Sequence, residues 1–314
     1  MAPPSSPRAW FDAVSWHLRG IFATDSNRRI GFRARELWQP AEIEARRGLG
    51  RDLATEVQTE LRVDPALGYL RLSASAMPSL DHVRSIGHAI INNATPVDGE
   101  SIGQKEFFRI RVATYEERVA LLRVALDRRM LAMAASYLGV LPVISEADFF
   151  CSFPTDGPFT KSQLWHCDPD ASDVFKLFIY CDDVTQDDGP FELVDAKASE
   201  RVRHEIGYRY AGRRYRVADD VMASHTQPHD QHQVLGPAPT AFAVDTVHCF
   251  HRGSRIVDKT RRRVMATVCY CTPNGYTLPR RLRAKAAPLA NFAASFSADV
   301  ERAALGLPLA HKWI

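Results

Sequence analysis

Gln163-Leu164-Trp165-His166-Cys167-Asp168-Pro169-Asp170 and, further along, Asp245-Thr246-Val247-His248-Cys249-Phe250-His251-Arg252-Gly253-Ser254 are the two stretches that decide how this 314-residue chain is read. In an extended strand residues i and i+2 face the same side. His166 and Asp168 therefore point together into whatever lies beneath them. One more imidazole from the second stretch completes a set of two histidines and one carboxylate. His251 is the preferred candidate, because it ends a strand-like run and is followed by Gly253, which lets backbone pass close to a ligand. His248 is its competitor. It lies on the opposite face of a regular strand, so at most one of the two points at the same centre. Two imidazoles and a carboxylate with one face left open are the donor set of mononuclear non-haem iron(II).

Around these stretches the texture is that of short strands. Ala147 to Phe153, Ser162 to His166, Val174 to Tyr180 and Phe191 to Val194 are rich in aromatic and branched residues. Turn signals at Pro154-Thr155-Asp156-Gly157-Pro158 and Asp187-Asp188-Gly189-Pro190 separate them. Further strands are expected at Ala241 to Val244, Val247 to Phe250 and Arg263 to Tyr270. The first part of the chain reads as helix. Trp10 to Phe22 has helical spacing, and Thr114-Tyr115-Glu116-Glu117 is a capping box. Val119, Leu122, Leu126, Met130, Met133 and Tyr137 then form one apolar stripe, ended by Gly139. Phe107 to Val112 is expected as a short strand, and Leu278 to Leu305 as a helical tail.

The expected fold class is α+β with a mainly β core: a double-stranded β-helix, or cupin-like jelly-roll, with N-terminal and C-terminal helices. Residues 1–314 read as a single domain. Residues 1–140 form a mainly helical layer, 141–275 the jelly-roll core with a basic insertion at 197–232, and 276–314 a helical tail.

Composition narrows the class. With 40 Lys and Arg against 37 Asp and Glu, the net charge of +3 gives no case for nucleic acid or an anionic membrane. No apolar run approaches the roughly 18–20 residues of a membrane span, and no secretory signal is recognisable at the start. The six cysteines show no C-x-x-C spacing and sit mostly in apolar runs. A reducing cytoplasm is therefore expected, without disulfides or a zinc ribbon.

Thr260-Arg261-Arg262-Arg263-Val264 opens the last strand. A buried guanidinium needs an anionic partner, and a dicarboxylate cosubstrate offers one through a bidentate pair. Arg262 shares the parity of Val264, Ala266 and Val268 and is expected to point inward, with Arg261 and Arg263 in solvent. Lys176 interrupts the apolar run Val174-Phe175-Leu177-Phe178-Ile179. Its parity is that of Phe178 and Tyr180, so it either touches cosubstrate or substrate inside or is solvated outside. Trp165 is expected in the core.

The H-x-D pair, the run Lys176-Leu177-Phe178-Ile179-Tyr180-Cys181-Asp182-Asp183-Val184, the turn Asp188-Gly189-Pro190-Phe191, and His251-Arg252-Gly253-Ser254 with Arg262 form an ordered set. Over about residues 145–275 the chain resembles the phytanoyl-CoA dioxygenase-like branch of the Fe(II)/2-oxoglutarate-dependent oxygenases. It departs from that pattern after the Gly-Pro turn, where it has Val194-Asp195-Ala196-Lys197. The resemblance implies a jelly-roll core, Fe(II) held by His166, Asp168 and His251, and the 2-oxoglutarate C5 carboxylate held by Arg262. It also implies an acceptor or a hydroxyl near the distal histidine, for which Ser254 and Ser162 are the candidates. The implied reaction consumes O2 and 2-oxoglutarate, releases succinate and CO2, and hydroxylates an unactivated C–H bond of a small molecule. Asp168 argues against halogenation, because halogenases of this type carry Gly or Ala at that position. Two other readings stay open: a cupin-type metalloenzyme that uses no 2-oxoacid, and a non-catalytic binding protein on the same fold.

The segment from Lys197 to Val217 carries Lys197, Arg201, Arg203, Arg209, Arg213, Arg214 and Arg216 against Glu200 and Glu205. One account is a lid for an anionic or carrier-bound substrate. The plainer account is a solvated charged helix. His225, His229 and His232 have a spacing that could bind zinc. Pro228 interrupts the helix such a site needs, and a polar surface loop is expected. Cys269 and Cys271 are expected in the core, and Asp182-Asp183 and Asp187-Asp188 in turns.

Overall fold

A computed structural model describes residues 24–37, 40–73, 79–93, 107–110, 115–169, 172–274 and 298–306, with 77, 292, 295 and 296 as single positions. The expected helix at Trp10 to Phe22, the Thr114 capping box and most of the Leu278 to Leu305 tail lie outside the described residues.

Eight α-helices and nine strands are described: α1 (Asp25–Glu36), α2 (Pro40–Val57), β1 (Tyr69–Leu72), α3 (Leu80–Asn93), β2 (Phe107–Ile110), α4 (Tyr115–Ala125), α5 (Arg128–Leu138), β3 (Val143–Ser152), β4 (Val174–Tyr180), β5 (Phe191–Val194), α6 (Ala196–Glu205), α7 (Asp219–His225), β6 (Gln231–Val234), β7 (Thr240–Asp245), β8 (His251–Arg252), β9 (Arg263–Cys271) and α8 (Asp299–Ala304). Six strands form one antiparallel sheet in the order β1-β7-β4-β9-β3-β2, and three form another in the order β6-β5-β8. The N-terminal region is thus more than a helical layer, because β1 and β2 supply both edges of the larger sheet.

Period-two alternation gives the larger sheet two unlike faces. Leu177 and Ile179 of β4, Ala241 and Ala243 of β7, and Val264, Ala266 and Val268 of β9 are fully buried in one cluster with side chains of α2 to α5. Leu177 lies opposite both Ala243 and Val268 across the neighbouring strands. The other face presents Phe178, Tyr180, Phe242 and Val244, which pack with Phe191, Leu193 and Val234 of the smaller sheet. The most apolar face of the sheet therefore covers helices. The more mixed face, which includes Lys176 and Arg263, looks toward the second sheet.

The structure corrects three expected elements, the first being Ser162 to His166, where Lys161–Gln163 form a 3-10 turn and Trp165 and His166 make only isolated strand bridges. The stripe from Val119 to Tyr137 is two helices, because Asp127 caps α5 by accepting from the Arg129 amide. Gly139 ends α5 at φ 68°, as its position suggests. Val247 to Phe250 is a turn rather than a strand. Asp245 Oδ1 accepts from the amides of Val247 (3.1 Å) and His248 (2.9 Å) and holds the turn in place.

Candidate metal centre

His166 and His251 are direct partners in an antiparallel bridge, with His166 N donating to His251 O at 3.1 Å and the reverse bond at 2.9 Å. Residues paired this way place their side chains on the same side. The two rings lie with centroids 4.3 Å apart. Asp168 follows two residues on, its amide donating to Thr246 O at 2.7 Å. Candidate ligand atoms of His166, Asp168 and His251 all lie within 4.8 Å of one another, and all three residues are buried.

The orientation of each group matches what a cation needs. The Nδ1 atoms face backbone carbonyls, Leu164 O at 2.8 Å for His166 and Cys249 O at 3.1 Å for His251. That arrangement places the N–H on Nδ1 and leaves the Nε2 lone pair for a metal. Both Nε2 atoms lie 3.9 Å from Asp168 Oδ1. The other carboxylate oxygen, Oδ2, accepts from Lys176 Nζ at 2.6 Å. Phe191 stacks on the His251 ring at 5.4 Å, and Tyr215 meets the His166 ring edge-on at 6.1 Å.

Electrostatics favour the same protonation states. Burial, reinforced by His251 and Arg216, holds the His166 imidazole well below its ordinary pKa. Burial lowers His251 as well. Burial opposes the charged form of Asp168, but Lys176 and the two imidazoles outweigh it and hold the carboxyl well below its usual range. Neutral imidazoles and an ionised carboxylate are the forms that bind a cation. The residues present fit a divalent first-row metal with an open face.

His248, the competing histidine, is turned away from this centre. Its Nδ1 lies 2.8 Å from Asp245 Oδ2, which also accepts from Tyr137 Oη at 2.8 Å. Lys176 points inward, as its parity with Phe178 and Tyr180 allows, and its partner in the structure is Asp168.

The arginine assignment is reversed. Arg262 is exposed, while Arg263 is buried, with only 1% of its surface accessible. Val264, Ala266 and Val268, used to define the inward face, pack against helices. A residue of their parity therefore points away from the second sheet. Arg263 donates to Gly189 O, to Ser254 Oγ at 3.1 Å and to Ser152 Oγ at 3.4 Å, and its guanidinium lies 5.4 Å from the Tyr180 ring centre. Its Nε has no partner, and no acid among the described residues forms an ion pair with it. Ser254 sits where φ is 61° and also bonds Ser152 Oγ at 2.9 Å, so it belongs with this arginine. Ser162 offers its carbonyl to the Gly253 amide at 3.1 Å.

Part of the basic insertion packs onto the site, while Lys197, Arg201, Arg209 and Arg214 stand in solvent. Asp195 caps α6 by accepting from Ala198 N at 2.8 Å, which accounts for the departure at Val194-Asp195-Ala196-Lys197. Arg203 is buried and donates to His248 O. Val217 pairs with Trp165 through two backbone bonds of 3.1 and 2.9 Å. Asp219 accepts from Arg252 and from Arg255 at 2.6 and 2.9 Å. Arg252 also covers the Trp165 ring, which is in the core as expected. The three loop histidines do not gather. His225 meets Glu205, His229 lies beside Asp230, and His232 stacks on Tyr69. All six cysteines are free and buried, Cys269 and Cys271 among them. Among the described residues no helix is long and apolar enough to cross a membrane.

No protein-family model and no curated protein matches the chain. Solved structures do. The chain is similar to EctD from S. alaskensis with 2-oxoglutarate and 5-hydroxyectoine, at 14% identity and TM-score 0.47 over 67% of this chain and 82% of that one. It is similar to HygX from Streptomyces hygroscopicus with nickel and 2-oxoglutarate bound, at 13% identity and TM-score 0.41 over 66% and 84%. A third is the non-heme alpha ketoglutarate dependent carbocyclase SnoK from nogalamycin biosynthesis, at 15% identity and TM-score 0.44 over 65% and 80%. Likenesses this loose carry no residue role to this chain.

Proposed function

We propose that the chain is an iron(II)- and 2-oxoglutarate-dependent oxygenase of the phytanoyl-CoA dioxygenase-like kind, hydroxylating a small molecule. In this reading residues 1–314 form one catalytic domain, and the two facing sheets are a double-stranded β-helix. The observation that carries it is the convergence of His166, Asp168 and His251, buried and held in metal-binding protonation states. Bound iron with 2-oxoglutarate and O2 supplies the oxidising power for breaking a C–H bond. The protein's part is to hold and to orient. Two Nε2 lone pairs and Asp168 Oδ1 face one point, while Lys176 occupies Oδ2 and leaves Asp168 one oxygen for the metal. Arg263, buried without an acid, is the residue suited to the far carboxylate of the 2-oxoacid, with Ser254 beside it. Asp168 in the ligand set favours hydroxylation over halogenation. The free, buried cysteines support a reducing, cytoplasmic setting.

The test is anaerobic titration of the protein with Fe(II) and 2-oxoglutarate. A weak visible charge-transfer band is expected, absent in Asp168→Ala, which also loses succinate formation. Iron binding without the band would favour a metalloenzyme that does not use the 2-oxoacid. Unchanged iron content and turnover in Asp168→Ala would overturn the ligand set.

A further inference from the structure

Of the basic residues in the insertion, most have an evident employment or face solvent. Arg201 pairs with Asp230 at 2.8 Å, Arg203 is spent on His248 O, and Arg209 and Arg214 are exposed. Arg216 differs. Its neighbour Val217 is bridged to Trp165 in antiparallel register. One step along that pairing sets Arg216 opposite His166, and alternation puts the two side chains on the same face. Trp165 and Val217 share the core on the other face. The Arg216 guanidinium lies over the Tyr215 ring at 4.3 Å, and Tyr215 in turn meets His166 edge-on. Arg216 Nη1 is buried and has no hydrogen-bond partner. No acid among the described residues forms an ion pair with Arg216, whereas nearby Arg252 and Arg255 both share Asp219.

Arg216 is half-buried, but its Nη1 is buried outright, and a buried N–H left unsatisfied there is costly unless an acceptor arrives. Asp168 does not serve, since Lys176 already holds its second oxygen. Arg263 keeps a separate set of hydrogen-bond partners, Gly189, Ser152 and Ser254. We infer that Arg216 is the anchor for an acidic group, carboxylate or phosphate, on the substrate to be oxidised, held over the metal centre against the Tyr215 ring. The inference rests on the oxygenase reading and adds to it the chemical class of the substrate. Arg216 also disfavours cationic substrates at this position by direct repulsion.

Calorimetric titration of the Ni(II)- and N-oxalylglycine-loaded protein tests it, with phenylacetate and phenyl phosphate as probes against 2-phenylethanol and phenethylamine. The acids are expected to bind and the alcohol and amine to fail. Arg216→Met should weaken the acids by at least about tenfold, the worth of a charge-assisted hydrogen bond, and Arg216→Lys should lose less. Affinity for N-oxalylglycine should stay the same in both variants, and neither variant should melt below the native protein. Equal binding of acid and alcohol, or acid binding that survives Arg216→Met, overturns the inference. So does a loss of N-oxalylglycine affinity in that variant, which would assign Arg216 to the cosubstrate. The same titration of the unloaded protein separates the two readings. If Ni(II) and N-oxalylglycine do not bind, the oxygenase reading fails, and acid binding lost with Arg216 then shows an anion site at this arginine but not an oxidised substrate.

Discussion

Arg263 and Arg262 are adjacent residues with opposite fates, and they give the sharpest residue-scale test of the site. Arg263→Met should raise the 2-oxoglutarate concentration needed for half-maximal succinate formation by at least about tenfold. Arg262→Met, an exposed substitution, should leave it unchanged. Equal effects from the two would remove Arg263 from the cosubstrate site. His248 supports a pH test. Burial alone would lower its pKa, but Asp245 more than compensates and the imidazole ends above its ordinary value. A histidine raised in the folded state adds stability that is complete below the unfolded pKa, about 6.5. That stability is lost as pH rises through the folded value. The melting-temperature advantage of the native protein over His248→Gln should therefore be larger at pH 5.5 than at pH 8.5. The triad itself was legible from sequence because its logic is local: an i, i+2 pair, and a histidine before Gly253. Arg263 was not. Its strand parity is opposite to that of apolar Val264, Ala266 and Val268, which look like the barrel face in sequence but pack against helices. The polar Thr267 and the lone Met265 on the other parity were the signal that this face borders a site.

At the scale of elements, β4 is the strand on which both layers depend. Leu177 is fully buried on its helix-facing side, while Lys176 reaches Asp168 from the other. Leu177→Ala should cost about 2–5 kcal/mol in urea unfolding, the range for emptying a packed core site, with iron affinity little changed in the fraction that stays folded. A cost below about 1 kcal/mol would mean the helix–sheet layer is not packed as described. Phe191–Val194 and the start of β9 were readable because alternation and turn residues mark them in sequence. The Val119 to Tyr137 stripe misled because an apolar period continues across two helices that share one core. Only the Asp127 side chain, a capping residue inside the stripe, announced the break. Val247 to Phe250 misled for a related reason: its residues are strand-like, but Asp245 accepts from the amides of Val247, His248 and Cys249 in a turn, and Ser199 Oγ accepts from that of Phe250.

For the molecule as a whole, one candidate ligand sits on the smaller sheet and the other two on the segment that leads toward the larger one. His251 lies in β8 of the smaller sheet, and Asp168 precedes β4 of the larger one, with its amide on Thr246 just after β7. A metal bound here would tie the two layers together and bind only the folded chain. At a free-metal concentration of 100 times Kd the gain is about 2.7 kcal/mol. Ni(II) or Co(II) should accordingly raise the melting temperature by several degrees, reversibly on adding chelator, and His251→Ala should abolish the rise. No shift with either metal would mean that the centre does not bind metal in the native state. The pairing of Trp165 with Val217 has a separate consequence for how anything reaches that centre. Swinging the 215–217 segment outward would break the backbone bonds beside His166 and strip the cover from Trp165, while Asp219 pulls it back through Arg252 and Arg255. Opening at the insertion therefore has to break the backbone bonds to Trp165 and the Asp219 ion pairs together, and while they hold, the backbone that carries Arg216 stays pinned beside His166.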